Sequence, residues 1–227
     1  MRWLVLTPFT RFGYEKLARF LRSTSYRTYV PLPRDLCLGL QPANLPASFM
    51  EIWEPLLDLI WENAVFAECY LTREDLINQI NNSLEIALLV FKYKVYGKLD
   101  ISEWLSRIPR KLEPKLKNWS GILVIDRFVD YVTLLRSNIN IEKVLAVDAF
   151  APTPLELLIL TANDLINWTC GIESIIQWII KYIGEIILLS SNVSTAYLNL
   201  TRDPSYRDLV NQCMAESYMI RWWRSEK

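Results

Sequence analysis

The feature that most constrains the fold is one apolar stretch, GIESIIQWIIKYIGEIILLSS, residues 171–191. Its polar residues recur at every fourth position and so form one narrow stripe on a helix: Glu173, Gln177, Lys181 and Glu185. Three of them are charged, and each would cost about 2.5–3.5 kcal/mol near the centre of a bilayer. We therefore predict no membrane span, but a core helix over 172–189 with one thin edge in water. A helix lying on a membrane surface is disfavoured, because its polar face would be wider and more basic.

Helix signals recur along the rest of the chain. Three prolines follow acidic or hydroxyl residues, and proline suits the first position of a helix because its missing N–H has no partner there. Thr153 and Glu156 have the spacing of a capping box. In segment 73–96 the apolar residues keep one helical face, which is typical of a face that packs on a core: Leu76, Ile80, Leu84, Leu88, Phe91 and Val95.

These signals predict an all-α protein, an irregular multi-helix bundle around the central apolar helix 172–189. Residues 24–50 contain several prolines and little periodicity, so we expect an extended N-terminal arm there. One domain, 1–227, is expected, with 1–118 and 119–227 as the alternative division. The segment GILVID, at the start of the predicted helix 122–136, is also compatible with a short buried strand. The predicted helices are 12–22, 55–71, 73–96, 101–108, 122–136, 154–168, 172–189 and 204–224, with a ninth at 141–149.

The absence of histidine excludes much of the common catalytic chemistry. Without an imidazole there is no Ser-His or Cys-His nucleophile pair and no histidine metal ligand. The six glycines are too far apart for the phosphate cradles of dinucleotide-binding or P-loop proteins. We therefore expect no cofactor. What remains is carboxylate chemistry, either with a hard cation such as Mg²⁺ or as an acid–base pair.

The four cysteines are dispersed and form no C-x-x-C motif: Cys37, Cys69, Cys170 and Cys213. This usage indicates buried thiols in a reducing compartment, although spacing alone leaves a disulfide pair open. The first apolar run has only four residues before Thr7 and Pro8, which is too short for a signal peptide. We therefore predict a cytoplasmic protein.

The best carboxylate candidates are Asp126 and Asp130, one helical turn apart and directly after GILVI. If GILVI is a strand, an acid at its end can hold a metal ion, as in many nucleases, and Asp148 and Asp164 are further candidates. The interpretation we favour places Asp126 and Asp130 on the wet face of an amphipathic helix, since no third acid belongs to the motif.

Charge is segregated along the chain, although the formal net charge is zero. Residues 1–34 carry seven Lys and Arg and one acid, whereas residues 35–91 carry nine acids and one Arg. Residues 92–117 carry eight bases and three acids. Aromatic residues accompany both basic blocks, and Arg221 and Arg224 flank Trp222 and Trp223 in the tail. Basic and aromatic side chains together are what a single-stranded nucleic-acid groove needs.

We therefore expect a non-catalytic binding subunit of a larger assembly, with a protein partner and with nucleic acid as the other possible ligand. The predicted binding residues are Arg11, Lys16, Arg19, Arg22, Arg27, Lys111, Lys115, Arg221, Trp222, Trp223 and Arg224. Two alternatives stay open. One is a protein–protein adaptor without nucleic-acid contact, and the other is a nuclease-like, metal-dependent enzyme that uses Asp126 and Asp130. The basic blocks also have an alternative role, which is to pair with acids of the same chain.

Overall fold

The protein contains a parallel β-sheet at its centre, and the all-α prediction is therefore wrong. The computed structural model describes residues 1–40 and 45–223. In that part of the chain, five parallel strands form one sheet in the order β3-β2-β4-β1-β5. The strands are β1 (Arg2–Leu6), β2 (Thr28–Pro33), β3 (Ala67–Leu71), β4 (Gly121–Ile125) and β5 (Lys143–Ala146).

Ten helices cover this sheet in the described residues. They are α1 (Arg11–Arg22), α2 (Arg34–Cys37), α3 (Ala47–Trp61), α4 (Arg73–Tyr96), α5 (Ile101–Ser106), α6 (Phe128–Arg136), α7 (Pro154–Ala162), α8 (Ile172–Lys181), α9 (Val193–Arg202) and α10 (Pro204–Cys213). The predicted helix 73–96 is confirmed as α4, which begins with a capping box on Thr72 and ends at Gly97 in the left-handed conformation.

Three segments that were predicted as helix or loop belong to the sheet. The predicted helix 122–136 is the fully buried strand β4 followed by α6, as the alternative interpretation of GILVID allowed. The predicted ninth helix, 141–149, contains β5, and the predicted helix 55–71 ends in β3. The predicted arm 24–50 contains β2, which pairs with β4 only through Thr28 and Tyr29 before its prolines interrupt the ladder.

The two faces of the sheet are both covered by helices. On the first face, Val5, Val30 and Val124 pack with residues of α1 and α3. On the second face, Leu4 and Leu123 pack with residues of α6, α7, α8 and the C-terminal half of α4. Strands that are buried on both faces are short apolar runs without alternation, which explains why these strands do not show a period of two in the sequence.

The apolar stretch 171–191 lies on the second face and is not the centre of the fold. Its helix α8 buries Ile175, Ile176 and Ile179, and a π-helical segment, Tyr182–Ile187, continues it. The predicted polar stripe faces outward, since Glu173, Gln177 and Glu185 are exposed. No helix in the described residues is long and apolar enough to cross a membrane.

Strands from both halves of the chain share the sheet. β4, which follows residue 118, pairs with β1 and β2, which precede it. The backbone at the start of β4 lies close to Arg27, the residue before β2. A side chain at Gly121 would collide with the carbonyl oxygen of Arg27, and Gly121 also has a φ of 113°. Only glycine satisfies both conditions.

Two disulfides, Cys37–Cys69 and Cys170–Cys213, join all four cysteines. The expectation of free thiols is therefore wrong for this structure. We expect the folded protein, purified without reductant, to show no reactive thiol after denaturation, and to show four after reduction. Thiol titration of the denatured protein measures this directly, and four thiols before reduction would contradict the two bonds.

Candidate functional site

The connections that leave β1 and β4 diverge to opposite faces of the sheet. From β1 the chain passes through α1 to β2, and α1 packs on the first face. From β4 the chain passes through α6 to β5, and α6 packs on the second face. Because β1 and β4 are neighbours, a crevice opens between their carboxyl ends. Such a topological switch point is where open α/β sheets bind ligands.

A cavity of about 800 Å³ lies at these strand ends, and we call it the switch-point cavity. Its wall includes Pro8 and Phe9 after β1, Asp126 and Arg127 after β4, and Phe150 after β5. The start of α3 and one side of α4 also belong to the wall. The volume falls within the range of small-molecule sites, roughly 300–1,000 Å³.

The loop from β1 to α1 is held tightly against its own helix. The Thr10 side chain caps α1 by accepting a hydrogen bond from the backbone N–H of Gly13 (3.0 Å). A side chain at Gly13 would collide with the carbonyl oxygen of Pro8 and with the hydroxyl of Thr7. Glycine at this position therefore allows Pro8 and Phe9 to reach the cavity wall.

Asp126 is the first residue after β4 and lines the switch-point cavity. The hydroxyl of Tyr14 donates a hydrogen bond to Asp126 Oδ2 (2.8 Å). The carboxyl group keeps partial solvent contact at the cavity and is otherwise surrounded by protein. Loss of hydration raises the pKa of Asp126 from 3.8 to about 7, against the opposing effects of the Arg127 charge and the Tyr14 hydrogen bond. Both protonation states are therefore populated near neutral pH.

Arg127 places a fixed cation beside this carboxyl group. Its Nε and Nη2 atoms both contact Asp130 Oδ2, at 2.7 and 2.6 Å. The amide oxygen of Gln79 from α4, in the orientation that matches donors with acceptors, accepts from Arg127 Nε at 2.9 Å. Burial opposes the charge, but Asp130 and Asp126 outweigh it and raise the pKa of Arg127 above its ordinary value. The guanidinium group therefore stays charged while it borders the cavity.

Glu156 connects the first turns of α6 and α7 at the cavity wall. Its Oε2 accepts from the backbone N–H and the hydroxyl of Thr153 (2.8 and 2.9 Å), which forms the predicted capping box. Its Oε1 accepts from the backbone N–H of Val129 (3.3 Å). Burial raises the pKa of Glu156 despite these hydrogen bonds. Two helix N-termini are thus fixed at the same cavity by one carboxylate.

Three aromatic side chains, Phe9, Phe49 and Trp53, form the aromatic wall of the cavity. The Phe9 and Phe49 ring centroids are 5.1 Å apart and those of Phe49 and Trp53 are 5.4 Å apart, both in edge-to-face geometry. Trp53 is 1% exposed, and its Nε1 has no hydrogen-bond partner among the described residues. This N–H is buried and lies near the hydroxyl of Tyr14, so it belongs to the interior of the wall.

The loop after α5 brings basic side chains to the cavity wall: Arg110, Lys111 and Lys115. Lys115 pairs with Asp75 of α4. Lys111 has no carboxylate partner within residues 1–40 and 45–223. Two of the cations predicted to bind a ligand therefore lie at the one large cavity described above.

The structure brings Asp126 and Asp130 to the same cavity but engages each of them with a protein partner. Asp148 and Asp164, the further candidates, lie outside the cavity wall. In the part of the chain that the structure describes, no three His, Cys, Asp or Glu side chains come together in a way that could hold a metal ion. A third carboxylate ligand would thus have to come from a rearrangement.

Several of the predicted partner-binding cations form ion pairs within the chain. Arg11 pairs with Glu15 and Glu54, Lys16 with Asp148, Arg27 with Glu68 and Lys115 with Asp75. Arg19 and Arg22 have no carboxylate partner in the described ranges. Arg224 lies outside the described residues.

The predicted cations also divide between the two edges of the sheet. Arg27 precedes β2, and Arg19 and Arg22 end α1, which runs back from the carboxyl edge. These three therefore lie at the amino edge. Lys111 and Lys115 lie at the switch-point cavity, at the carboxyl edge.

The tryptophans of the tail dock on the chain's own surface. The backbone of Arg221 exchanges two hydrogen bonds with Phe150 (2.6 and 2.8 Å). The half-buried ring of Trp222 packs edge-on against Tyr206 at 6.1 Å. The half-buried ring of Trp223 lies beneath the guanidinium group of Arg202, at 4.7 Å, and near the Lys16 ammonium group. These contacts fix the tail beside α9 and α10.

The sequence indicated Asp126 as a candidate, but not its neighbours Tyr14 and Arg127 or the aromatic residue Trp53 of the same cavity. The available signal was position, because Asp126 and Arg127 follow an apolar run directly and so stand at a strand end if that run is a strand. Comparison of the chain with protein-family models, with curated proteins and with solved structures found no match.

Proposed function

We propose that this protein is an enzyme that acts on a small anionic organic molecule in the switch-point cavity, with Asp126 as its general acid–base. The observation that carries the proposal is a carboxyl group with a pKa of about 7 on the wall of a cavity at the switch point. An acid–base group works best when its pKa lies near the working pH, and perturbed pKa values concentrate at functional sites.

The surroundings of Asp126 support a defined chemical role. Tyr14 holds Oδ2, so the carboxyl group has a fixed orientation while Oδ1 has no side-chain partner in the described residues. Arg127 supplies a positive charge that stabilises negative charge formed on a bound molecule after proton removal. Asp130 is a positioning residue, since it contacts Arg127.

The cavity wall also supports a substrate class. The aromatic wall favours a flat or apolar part of the bound molecule. Lys111, which has no carboxylate partner in the described residues, favours an anionic group such as phosphate or carboxylate, and Arg127 adds a positive charge that Asp130 partly neutralises. A molecule that combines a ring with an anionic group fits both parts.

Ligand screening by thermal unfolding tests this proposal. We expect nucleoside monophosphates and aromatic carboxylates to raise the Tm by several degrees more than the matching nucleosides and aromatic amides, because a ligand at 100 times its Kd stabilises by about 2.7 kcal/mol. Arg127→Met should lose this response, whereas Arg19→Met, at an exposed cation of α1, should keep it. Equal responses to charged and uncharged probes would contradict the proposal.

The metal-dependent form of the enzyme stays a hypothesis with one specific requirement. Arg127 would have to release Asp130 before that carboxylate could bind a cation. Titration of the protein with Mg²⁺ or Mn²⁺, followed by Tm, would reveal such a site as a stabilisation that Asp130→Asn removes.

The second candidate is the partner-binding subunit predicted from the sequence, with its cytoplasmic location. Its support is that Arg19, Arg22 and Lys111 have no carboxylate partner among the described residues. Affinity for a single-stranded oligonucleotide at two salt concentrations tests it, since a phosphate interface loses affinity steeply as salt rises. No binding at low salt would remove the nucleic-acid version and leave a protein partner.

A further inference from the structure

Helix α4 exposes an apolar stripe along most of its length. Five of the stripe's side chains are between 46% and 69% exposed: Ile77, Leu84, Leu88, Phe91 and Val95. The same helix attaches to the fold through another face, where Leu76, Ile86, Leu89 and Val90 are buried. Leu188 and Leu189, at 75% and 87% exposed, follow the π-helical segment that packs beside α4. Contiguous exposed apolar surface of this kind marks an interaction site.

The spacing of the stripe is that of a coiled-coil seam. With Asn81 included, its positions are 77, 81, 84, 88, 91 and 95, so the steps alternate between four and three residues. Helix α4 has 24 residues and is therefore about 36 Å long, which gives room for three heptads. A stripe with this spacing packs best against a second helix with the same spacing.

A second copy of α4 in antiparallel orientation supplies that helix. If the two-fold axis passes beside Ile86, then Leu84 of one copy faces Leu88 of the other, and Ile77 faces Val95. The pairing is self-complementary, as a two-fold interface requires. Every position of the stripe then meets a stripe position of the other copy.

Charge at the ends of the helix favours the antiparallel orientation over the parallel one. Glu74 continues the stripe at its N-terminal end, and Lys98 lies just beyond its C-terminal end. Both are exposed, and neither has an ion-pair partner in the described residues. Antiparallel pairing brings Glu74 of each copy to Lys98 of the other, whereas parallel pairing would set Lys98 against Lys98 and Glu74 against Glu74. The helix dipoles also oppose each other in the antiparallel pair.

We propose that the protein forms a two-fold dimer through the antiparallel pairing of α4 with α4 of a second copy. Sedimentation velocity over a range of protein concentrations tests the proposal. The wild-type chain should sediment as a dimer at tens of micromolar. Leu88→Glu should weaken the dimer at least 100-fold, because it places two charges in the centre of the seam. Leu38→Glu, at a side chain that is equally exposed but outside the stripe, should leave the dimer intact.

A charge exchange identifies the partner and its orientation. Glu74→Lys should weaken the dimer several-fold, because it sets two lysines against each other, and adding Lys98→Glu should restore the affinity. A wild-type chain that stays monomeric at every concentration would overturn the proposal and leave the stripe to a different protein. A dimer that is insensitive to Leu88→Glu, or a charge exchange that fails to restore affinity, would overturn the antiparallel α4 pairing.

Discussion

Replacing Asp126 by asparagine is expected to make the protein more stable at pH 8 and, at the same time, to remove the proposed acid–base activity. The folded state raises the pKa of Asp126 from 3.8 to about 7. Between these two pH values the folded chain binds a proton that the unfolded chain has already released. The free energy of unfolding of the wild-type protein therefore falls as the pH rises from about 4 to about 7, and it stays lower above that range. Asparagine is neutral at every pH, so the free energy of unfolding of the variant does not fall in this way.

The size of the effect follows from the difference between the two pKa values. That difference corresponds to at most about 4 kcal/mol, and partial solvent contact reduces it, so we expect a gain of roughly 2–4 kcal/mol at pH 8 and little difference at pH 4. Urea denaturation at both pH values measures it, and Asp208→Asn, on the exposed surface of α10, is the matched control. Turnover of a substrate found by the ligand screen should fall by about 10²–10⁴-fold in Asp126→Asn. A variant that is no more stable than the wild type at pH 8 would contradict the raised pKa.

Replacing Arg127 by methionine is expected to have the opposite effect on stability. The substitution leaves Asp130 without its partner at a partly buried site, which should cost about 2–3 kcal/mol. It also removes the charge that lowers the pKa of Asp126, so that pKa should rise above about 7. The pH range in which stability falls should then extend upward, and urea denaturation from pH 5 to pH 9 measures both changes.

A double variant separates these effects from simple misfolding. Arg127→Met combined with Asp130→Asn leaves no unpaired charge and should be more stable than Arg127→Met alone. Arg19→Met, at an exposed cation, should behave like the wild type. If Arg127→Met is as stable as the wild type, then the ion pair with Asp130 contributes nothing to the fold.

The sequence predicted helices much better than strands, and the reason lies in the burial of the sheet. Helix α4 was predicted with its correct bounds because its apolar residues keep a helical period and Gly97 ends the pattern, and the structure adds a capping box on Thr72. β4 is buried at all five positions and has no alternation, so GILVI resembles the start of an apolar helix. The pairing of β4 with β1, more than a hundred residues earlier, leaves no local trace.

The ion-pair partners of the charged blocks could not be predicted from the sequence either. The excess of cations in residues 1–34 and 92–117 is visible in the sequence, but their partners are not. Lys16 meets Asp148 and Lys115 meets Asp75 only because the fold brings distant segments together. Asp126 was selected as a candidate because of its place after an apolar run, whereas its raised pKa depends on burial that only the structure reveals.

The amphipathic face predicted for α4 was only partly right, because Leu76 is buried and Ile80 packs against the core, whereas the other four predicted residues are exposed. Leu84, Leu88, Phe91 and Val95 do share one face, yet the fold buries the neighbouring face and leaves this one in solvent. Periodicity identifies a face that avoids water and does not say whether the same chain covers it.

Helix α4 therefore borders two sites at once. Asn78, Gln79 and Ser83 line the switch-point cavity, and Leu84 belongs both to the cavity wall and to the stripe. If both proposed sites exist, a ligand that shifts this helix at one of them changes the free energy of binding at the other, and the influence is mutual. Formation of the proposed dimer would then change the affinity of each cavity for a small molecule by some factor. Because the dimer holds two cavities, a saturating small molecule would change the dimerisation constant by the square of that factor.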